Sequence, residues 1–409
     1  MTWRKKKLGD ILTIERGGSP RPIDKYLTNS PDGINWIKIS DATASTKYIY
    51  ETKEKITKDG LHKTRLVNEG DFILSNSMSF GRPYIMKTTG CIHDGWLVLK
   101  QNGSKVFDTE FLYYLLSSPY VFKQFDYLAA GSTVRNLNIA LVSSVEVPLP
   151  PLPEQQRIVS ILDECFAAID KVKANAEHNL LNANELFENA AQAIFTQKGT
   201  DWEQKLLGEF ATFRNGINYT KGSKGEKIKI VGVKDFQDSY WVPDNDLVEV
   251  SLDGKINETD LLKKGDILAV RSNGNPQLIG RTLLAGKINE KVSHSGFTIR
   301  IRLDSKIVNP NYLCHFLKIQ QTRKTLVESG NGVGIRSLNQ GSLSSLKIPF
   351  PKSLKEQEMI IDKVDSIAEQ SQKLKDIYQR KINDLEELKK SILQKAFAGE
   401  LKTEKAVAV

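Results

Sequence analysis

Two loops of this chain are built from residue types that form hydrogen bonds well and fill an apolar core poorly. Each follows an apolar run: Ser75, Asn76, Ser79 and Arg82 lie in the first loop, and Arg271, Asn273, Asn275 and Arg281 lie in the second. Asparagine pairs with adenine, and arginine pairs with guanine or phosphate, through matched donors and acceptors. The loops therefore suit contact with nucleic acid. The alternative interpretation is a pair of ordinary solvated loops.

Two glycine turns carry basic and polar residues that could contact phosphate. Arg16 and Ser19 flank the first turn, and Arg214 and Asn215 precede the second. Glycine leaves backbone amides open to a ligand, although a plain strand-to-strand turn has the same composition. Both interpretations remain open for these turns.

Two lysines and two histidines add further candidate DNA contacts. Lys38 and Lys234 lie at the ends of short β-rich runs. His93 and His294 each lie shortly before a turn glycine and could reach a base or a phosphate. Each histidine could equally be structural, with its hydrogen bonds satisfied inside the protein.

A last pair of polar segments lies further along the chain. Arg135 and Asn138 match Arg336 and Asn339, and glycine precedes both pairs. An arginine and an asparagine three residues apart could hold a phosphate from a loop or from the start of a helix. We count all four as candidate DNA contacts.

These residues are arranged around two long segments that are predicted to be helices. No glycine or proline occurs from Glu154 to Lys198, and apolar residues recur there at helical steps. Glu154–Gln155 and Glu356–Gln357 begin the same pattern twice, so the chain is a tandem repeat with a period of about 200 residues. A long apolar face is unstable alone in water, so the two helices are predicted to pack against each other.

Shorter elements are predicted in both copies as well. Gly70–Asp71 and Gly265–Asp266 precede apolar runs, which is typical of a turn followed by a buried strand. Leucine-rich stretches at 110–125 and 311–327 have the spacing of helical segments that pack in a core. Short β-rich runs alternate with turns in front of each long helix. The pattern predicts an α+β fold with a pseudo-two-fold internal repeat.

Composition narrows the class of protein. The chain has 409 residues, 40% hydrophobic and 26% charged, which is typical of a globular protein with several cores. It has no apolar run long enough to span a membrane and no signal-peptide pattern, so we expect a cytoplasmic protein with no membrane partner. Three separated cysteines exclude a zinc or disulfide framework. The net charge of +9 favours a polyanionic partner without identifying it.

Two features that could indicate an enzyme are weak. The glycines at 330–334 resemble a nucleotide-binding loop but follow a helix instead of a strand. Asp244, Asp253 and Lys255 imitate the metal site of a nuclease, and the first copy has no counterpart. No nucleophile–base constellation is repeated. We therefore expect no catalytic residue, no metal and no cofactor.

The most distinctive segments flank the predicted long helices. Leu149–Ile158 reads LPPLPEQQRI, and Leu388–Leu401 reads LKKSILQKAFAGEL. Together with the two β-rich segments, they make the chain resemble the specificity subunit of type I restriction–modification enzymes over essentially its full length. The second copy departs from the motif at Phe350–Lys355, where it lacks one proline.

The resemblance implies both a fold and a function. Two β-rich target-recognition domains, at 1–150 and 200–351, would be joined by two long antiparallel coiled-coil helices at 151–199 and 352–400, with a tail at 401–409. Each domain would read one half of a split site in double-stranded DNA, and the helices would set the gap. The subunit would not be catalytic by itself. Methylation (M) subunits and restriction/translocase (R) subunits would assemble on it.

Two other functions stay open from the residues alone. One is a stand-alone nuclease or methyltransferase with duplicated domains. The other is a scaffold that binds no DNA and holds proteins together through its coiled coil. Catalysis by the purified chain would favour the first, and failure to bind any duplex would favour the second.

Overall fold

The chain folds as two units that repeat one order of elements. The computed structural model describes residues 3–76, 80–101, 105–130, 136–197, 199–220, 222–237, 239–328 and 337–401. One unit comprises residues 1–176 and 380–409, and the other comprises residues 177–379. Each of the two long helices therefore contributes residues to both units.

The first unit consists of short strands followed by short helices. Its strands are β1 (Lys5–Lys7), β2 (Leu12–Arg16), β3 (Leu27–Thr28), β4 (Ile34–Ile37), β5 (Tyr48–Ile49), β6 (Glu54–Ile56), β7 (Arg65–Val67), β8 (Phe72–Ser75), β9 (Pro83–Met86), β10 (Gly90–Ile92), β11 (Trp96–Gln101) and β12 (Glu146–Pro148). Its helices are α1 (Ile39–Thr43), α2 (Thr109–Leu116), α3 (Pro119–Ala129), α4 (Ile139–Ser144) and the first part of α5 (Leu152–Thr196), with 3-10 turns at Leu8–Asp10, Ile23–Lys25 and Lys58–Lys63.

The second unit follows the same plan with fewer strands. Its strands are β13 (Trp202–Leu206), β14 (Ala211–Asn215), β15 (Lys227–Val231), β16 (Val248–Ser251), β17 (Ile267–Val270), β18 (Thr282–Leu284), β19 (Val292–His294), β20 (Thr298–Leu303) and β21 (Lys347–Pro351). Its helices are α6 (Pro310–Lys318), α7 (Gln320–Glu328), α8 (Gln340–Ser344) and the first part of α9 (Leu354–Ala398), with 3-10 turns at Leu207–Glu209, Val233–Asp235, Glu258–Asp260 and Pro276–Leu278.

The sheets of the two units share their topology. The first unit has the strand orders β3-β6-β4-β10-β7, β2-β11-β8-β9-β5 and β1-β12, and the second has β16-β15-β19, β14-β20-β17-β18 and β13-β21. Strand β11 pairs antiparallel with β2 and β8, as β20 pairs with β14 and β17. Strand β10 pairs parallel with β4, as β19 pairs with β15. The pairing confirms the internal repeat and the α+β class.

The predicted glycine–aspartate turns are present in both units. Gly70 and Gly265 both have a φ of +89°, a conformation that favours glycine. The Asp71 carboxylate accepts a hydrogen bond from the Asn68 amide at 2.9 Å, and the Asp266 carboxylate accepts one from the Lys263 amide at 2.7 Å. Each turn leads into a fully buried strand, β8 or β17. This prediction is confirmed.

Each leucine-rich stretch forms two helices instead of one continuous helix. In the first unit Ser118 is the N-cap of α3, its side chain accepting a hydrogen bond from the Val121 amide, and Pro119 takes the first helical position. Proline fits that position because its missing amide hydrogen would have no helical partner there. In the second unit Ile319 leaves the helical conformation between α6 and α7. The expectation of single helical segments missed both breaks.

A buried glutamine ties the start of each long helix to its own unit. The Gln155 side chain accepts a hydrogen bond from the Asp108 amide at 2.8 Å and donates to the carbonyls of Val106 and Pro150. This one side chain satisfies three backbone groups of the segments around it. Because water cannot reach these three buried backbone groups, they depend on Gln155 for their hydrogen bonds. These bonds hold the start of α5 against the rest of the unit.

Gln357 repeats this arrangement in the second unit. Its side chain accepts from the Asn309 amide at 2.7 Å and donates to the carbonyls of Ile307 and Pro351. Both glutamines are fully buried. The Glu-Gln pair that marks the repeat in the sequence is therefore a structural feature of both copies, despite the missing proline in the second.

The long helices run antiparallel within each unit. In the first unit Lys173 pairs with Glu386, while Asp170, which is earlier in α5, pairs with Lys389, which is later in α9. In the second unit the buried Ser371 hydroxyl donates to the Ala183 carbonyl at 2.7 Å. These contacts confirm that the two long helices pack against each other in antiparallel order.

Both helices also contribute to the cores of the units. The core of the first unit combines strands β2, β8 and β11 and helices α2–α4 with Ile158 and Leu162 of α5 and with Ala396 and Phe397 of α9. The core of the second unit uses Phe195, Ile361 and Val364 in the corresponding way. The long helices are thus part of each unit and not merely connections.

Candidate nucleic-acid interface

The turn between β10 and β11 gathers several of the predicted residues of the first unit. The Asn76 side-chain NH₂ group donates to the Asp94 backbone carbonyl at 2.8 Å, and Arg16 Nε donates to the same oxygen at 3.0 Å. The Ser19 hydroxyl donates to the Asp94 carboxylate at 2.8 Å, and Arg21 lies 3.4 Å from that carboxylate. The Ser19 hydrogen bond and the nearby charges lower the pKa of Asp94 despite partial burial. The result is a polar cluster with an ionised carboxylate.

His93 lies in the same turn and is held by its surroundings. Its Nδ1 accepts a hydrogen bond from the Gly95 amide at 2.9 Å, and its ring lies 6.1 Å from the rings of Trp36 and Trp96. Burial lowers the pKa of His93, so the imidazole is neutral near pH 7. These contacts give His93 a structural role in shaping the turn.

Ser75 and Arg82 close the loop between β8 and β9. The Arg82 amide donates to the Ser75 hydroxyl at 3.1 Å, and Gly81 before it has a φ of +72°. The exposed Arg82 guanidinium lies 5.5 Å from the centre of the Tyr84 ring. Ser75 is buried, so of these two residues Arg82 is the one whose side chain faces solvent.

Two more predicted residues of the first unit have local partners. Lys38 lies at the N-cap of α1, and its ammonium pairs with Glu54 at 2.7 Å. The Asn138 side-chain oxygen Oδ1 accepts a hydrogen bond from the Leu141 amide at 2.9 Å and caps α4. Both side chains are thus held by residues outside the Asp94 cluster. Asn138 thus acts as the N-cap of α4 in this structure.

The corresponding turn of the second unit lies between β19 and β20. The Arg271 amide donates to the Phe297 carbonyl at 2.8 Å, as the Asn76 amide donates to the Gly95 carbonyl at 3.1 Å. The Arg271 guanidinium also approaches the Gly296 carbonyl at 3.5 Å. Arg271 therefore occupies the structural position of Asn76.

A concavity of about 500 Å³ opens beside this turn. We call it the Ser295 concavity, after its most buried polar residue. Its polar and aromatic lining residues are Tyr219, Lys234, Ser272, Asn273, Ser295 and Phe297. The structure thus brings together Lys234 and Asn273, which are distant in the sequence.

Asn273 and Asn275 form successive turns at the rim of this region. The Asn273 side-chain oxygen accepts from the Asn275 amide at 2.8 Å, and the Asn275 side-chain oxygen accepts from the Gln277 amide at 3.0 Å. Each amide oxygen is therefore used inside the loop, which leaves the amide NH₂ groups as the donors that the side chains present.

Three other predicted residues of the second unit have partners within the fold. Arg281 donates to the carbonyls of Phe236 at 3.2 Å and Gln237 at 2.6 Å. Arg214 pairs with Asp260 at 2.6 Å. Asn339 caps α8 by accepting from the Ser342 amide, as Asn138 caps α4. Asn215 is exposed at the end of β14 and is not part of the Ser295 concavity.

The two predicted histidines are not equivalent, contrary to their spacing in the sequence. The Trp96 amide donates to the His93 carbonyl, and the Thr298 amide donates to the Ser295 carbonyl, so His93 corresponds to Ser295. His294 ends strand β19, where its ring is buried against the Thr298 hydroxyl at 2.9 Å. Burial lowers the pKa of His294 to about 3. A shift of one residue moves a side chain to the opposite face of a strand, so His294 is a structural residue.

Ser79, Arg135 and Arg336 lie outside the described residues. Sequence reasoning missed six residues that lie in the two turns or their surroundings: Arg21, Asp94, Tyr219, Ser272, Ser295 and Phe297. Asp94 follows the predicted residue His93 directly, and Phe297 lies three residues after His294. This closeness in the sequence was the only signal that could have identified them.

Metal centres and membrane spans are two other kinds of functional feature that a chain of this size could carry. The described residues include no group of three or more His, Cys, Asp or Glu side chains placed to hold a metal ion. None of the helices within the described ranges has the length and hydrophobicity needed to span a bilayer.

Comparison with known proteins identifies the family. The sequence model described as the type I restriction modification DNA specificity domain matches twice, at residues 1–179 and 199–387. The chain belongs to this family. The two matches cover most of the chain and coincide with the two copies of the repeat.

Individual relatives agree with the family. The StySPI specificity subunit of Salmonella potsdam, a type I restriction enzyme subunit, is 28% identical over 67% of this chain, and the match spans 61% of that relative's own length. The EcoBI specificity subunit of Escherichia coli is 24% identical over 98% of this chain and 86% of the relative. The chain thus corresponds to less than two thirds of the Salmonella relative and to most of the Escherichia coli relative.

A solved structure supports the fold of this family member. A chain from work on complex assembly and conformational transition of the type I R-M system superposes with a TM-score of 0.76 over 98% of both chains, at 20% identity. At that identity the likeness concerns the fold, which is shared over nearly the full length of both proteins.

Proposed function

We propose that this chain is the DNA sequence-recognition subunit of a type I restriction–modification complex. Each unit would read one half of a bipartite site in double-stranded DNA. The observation that carries the proposal is the repeated turn, held by the same backbone hydrogen bonds in both units and lined by different side chains. Different side chains on one scaffold are what reading two different half-sites requires, because bases are distinguished by donors and acceptors.

The proposal assigns roles along the chain. Residues 1–150 and 200–351 are the target-recognition domains, residues 151–199 and 352–400 are helical spacers that set the gap between half-sites, and residues 401–409 are a tail. The chain by itself has no catalytic activity. Methylation subunits and restriction/translocase subunits assemble on it, and the complex acts in the cytoplasm.

The candidate DNA contacts differ in how available they are. Arg16, Arg82, Asn215 and Lys234 are exposed and can approach DNA without losing a buried partner. Phosphate contacts position a protein on the duplex, whereas contacts to base edges give specificity. We assign Arg82 to the phosphates, because its exposed guanidinium lies over the Tyr84 ring and has no hydrogen bond among the described residues that would orient it for reading a base edge.

The test is a map of methylated adenines across a genome, with and without this gene and with the partner subunit genes present. We expect one bipartite motif to depend on the gene. Methylation or cleavage by the purified chain alone would instead indicate a stand-alone enzyme. Failure to bind any duplex at low salt, even with the methylation subunits, would indicate a protein scaffold.

A further inference from the structure

The Ser295 concavity combines a buried hydroxyl with donors and exposed aromatic rings. Ser295 is 3% exposed, and its hydroxyl has no hydrogen-bond partner among the residues that the structure describes. A buried polar atom without a partner is unfavourable unless a ligand or an ordered water satisfies it. Ser295 is one of the residues that line the concavity, so a molecule bound there is the candidate partner for its hydroxyl.

Two exposed aromatic side chains line the opening of the concavity. Phe297 is 61% exposed and Tyr219 is 39% exposed, and both rings line the opening. Large exposed aromatic side chains gain from being covered, and they also exclude water from the polar atoms beside them. The concavity therefore offers a site where hydrogen bonds could be formed away from bulk water.

Each polar side chain that lines the concavity carries a hydrogen-bond donor. Lys234 has only donors, and Asn273 presents its NH₂ group because its side-chain oxygen already accepts from the Asn275 amide. Ser295 can donate or accept. No aspartate or glutamate is among the described residues that line the concavity. A ligand edge made of acceptors suits this set better than one that mixes donors and acceptors.

Among the base edges in the major groove, guanine meets this requirement best. Guanine presents two neighbouring acceptors, N7 and O6, whereas adenine presents one acceptor and one donor, and cytosine presents a donor. Lysine pairs readily with the guanine edge. The pairing of asparagine with adenine uses both the side-chain oxygen and the NH₂ group; because the Asn273 oxygen already accepts from the Asn275 backbone amide, its NH₂ group is the better placed to meet a base, and it requires an acceptor.

We propose that the Ser295 concavity reads a guanine in the half-site of the second unit through Lys234, Asn273 and Ser295. The inference rests on the proposed function, since it assumes that the second unit contacts DNA. These three side chains determine which base is preferred at that position. Phe297 and Tyr219 cover the contact and exclude water from it.

The test uses the full chain expressed with its methylation and restriction subunits. Mapping methylated adenines defines both half-sites for the wild type and for the Lys234→Ala, Asn273→Ala and Ser295→Ala variants. We expect each variant to relax the preference at one G·C pair of one half-site and to keep the other half-site. Lys287→Ala is the matched control, because this lysine is exposed in the same unit and does not line the concavity.

Binding to modified duplexes then tests the acceptors directly. In duplexes of the mapped sequence, each guanine is replaced in turn by 7-deazaguanine, which lacks the N7 acceptor. Wild-type complex should bind one of these duplexes about tenfold more weakly. The same replacement should make no further difference to the Lys234→Ala or Asn273→Ala complex.

The outcomes separate this inference from the proposed function. If no methylation motif depends on the chain, the proposed function fails and the inference fails with it. If the motif appears but the three variants leave both half-sites unchanged, the inference alone is wrong. Relaxation at an A·T pair, or an equal loss of affinity for all sequences, would also overturn it, because the latter indicates contact with phosphate.

Discussion

The two units use the same turn for different chemistry. In the first unit the turn carries the Asp94 carboxylate, surrounded by Arg16, Ser19 and Arg21. In the second unit the turn carries the Ser295 hydroxyl and the exposed Phe297 ring. The difference shows that backbone hydrogen bonds define the turn, while side chains are free to vary on it.

The backbone explains how this variation is possible. The turn amide at Trp96 or Thr298 donates to the carbonyl of His93 or Ser295, at 3.1 Å and 2.9 Å. These bonds require only main-chain atoms, so they tolerate almost any side chain in the turn. A repeat of this kind can therefore keep its fold and change what it recognises.

The largest expected effect tests a feature that the units share. Gln155→Ala and Gln357→Ala should each lower the free energy of unfolding by about 2–4 kcal/mol, because three buried backbone groups lose their partner. Urea unfolding followed by circular dichroism measures both. The exposed neighbours Gln156 and Glu358 provide controls, and their alanine variants should stay within about 0.5 kcal/mol of wild type. A small effect at only one of the two glutamines would contradict their equivalence.

Substitution of the two loop arginines should have different effects, with Arg281→Ala lowering stability and Arg82→Ala weakening DNA binding. Arg281→Ala should destabilise the protein by about 1–3 kcal/mol, because the guanidinium donates to the carbonyls of Phe236 and Gln237. Arg82→Ala should change stability by less than about 1 kcal/mol, since its described side-chain contact is the Tyr84 ring.

The effect of Arg82→Ala should instead be seen in DNA binding. Arg82→Ala should weaken duplex binding by the complex and reduce its salt dependence, as expected for a phosphate contact. Thermal unfolding and a salt titration of binding check the pair of variants. Equal destabilisation by both substitutions would show that the two arginines have the same structural role.

The buried histidine should make the stability of the second unit depend on pH. The pKa of His294 is about 3 in the folded protein and about 6.5 when unfolded, so below pH 6.5 the unfolded state binds the proton more readily. Stability is therefore full above pH 6.5 and is lost as pH falls towards 3, by about 1–2 kcal/mol at pH 5.

A substitution borrowed from the first unit provides the control for this pH dependence. Ile92 occupies the position of His294 in the first unit, as the turn hydrogen bonds show. His294→Ile should reduce the loss between pH 7 and pH 5 by about 1–2 kcal/mol, measured by urea unfolding at each pH. An unchanged pH dependence in this variant would mean that other groups cause the loss.

The smallest expected effect concerns two neighbouring serines of the second unit. Ser295→Ala should change the free energy of unfolding by no more than about 0.5 kcal/mol, because its hydroxyl has no partner in the described part of the chain. Ser293→Ala should cost about 1 kcal/mol, because its buried hydroxyl donates to the Asp260 carbonyl at 2.7 Å. Thermal unfolding compares them. A larger loss for Ser295→Ala would indicate a structural role for that hydroxyl.

The amino-acid sequence by itself determined the repeat, the fold class and the long helices. Helical spacing of apolar residues and the absence of glycine and proline are local signals, and they predicted α5 and α9. Gly70 and Gly265 predicted their turns for the same reason, since a positive φ depends on the residue itself. The Glu-Gln pairs also mark the start of both helices in the sequence alone.

Only the tertiary structure decided which polar residues are available for binding. Arg82 and Arg281 match in the sequence, yet one is exposed and the other donates to two carbonyls that come from a distant segment. His93 and His294 also match, but a one-residue difference in register places one in the turn and the other inside the sheet. Partners of this kind come from residues far away in the sequence, so no local pattern contains them. The same non-local packing leaves the Ser295 hydroxyl buried, with no partner among the described residues, beside two exposed rings.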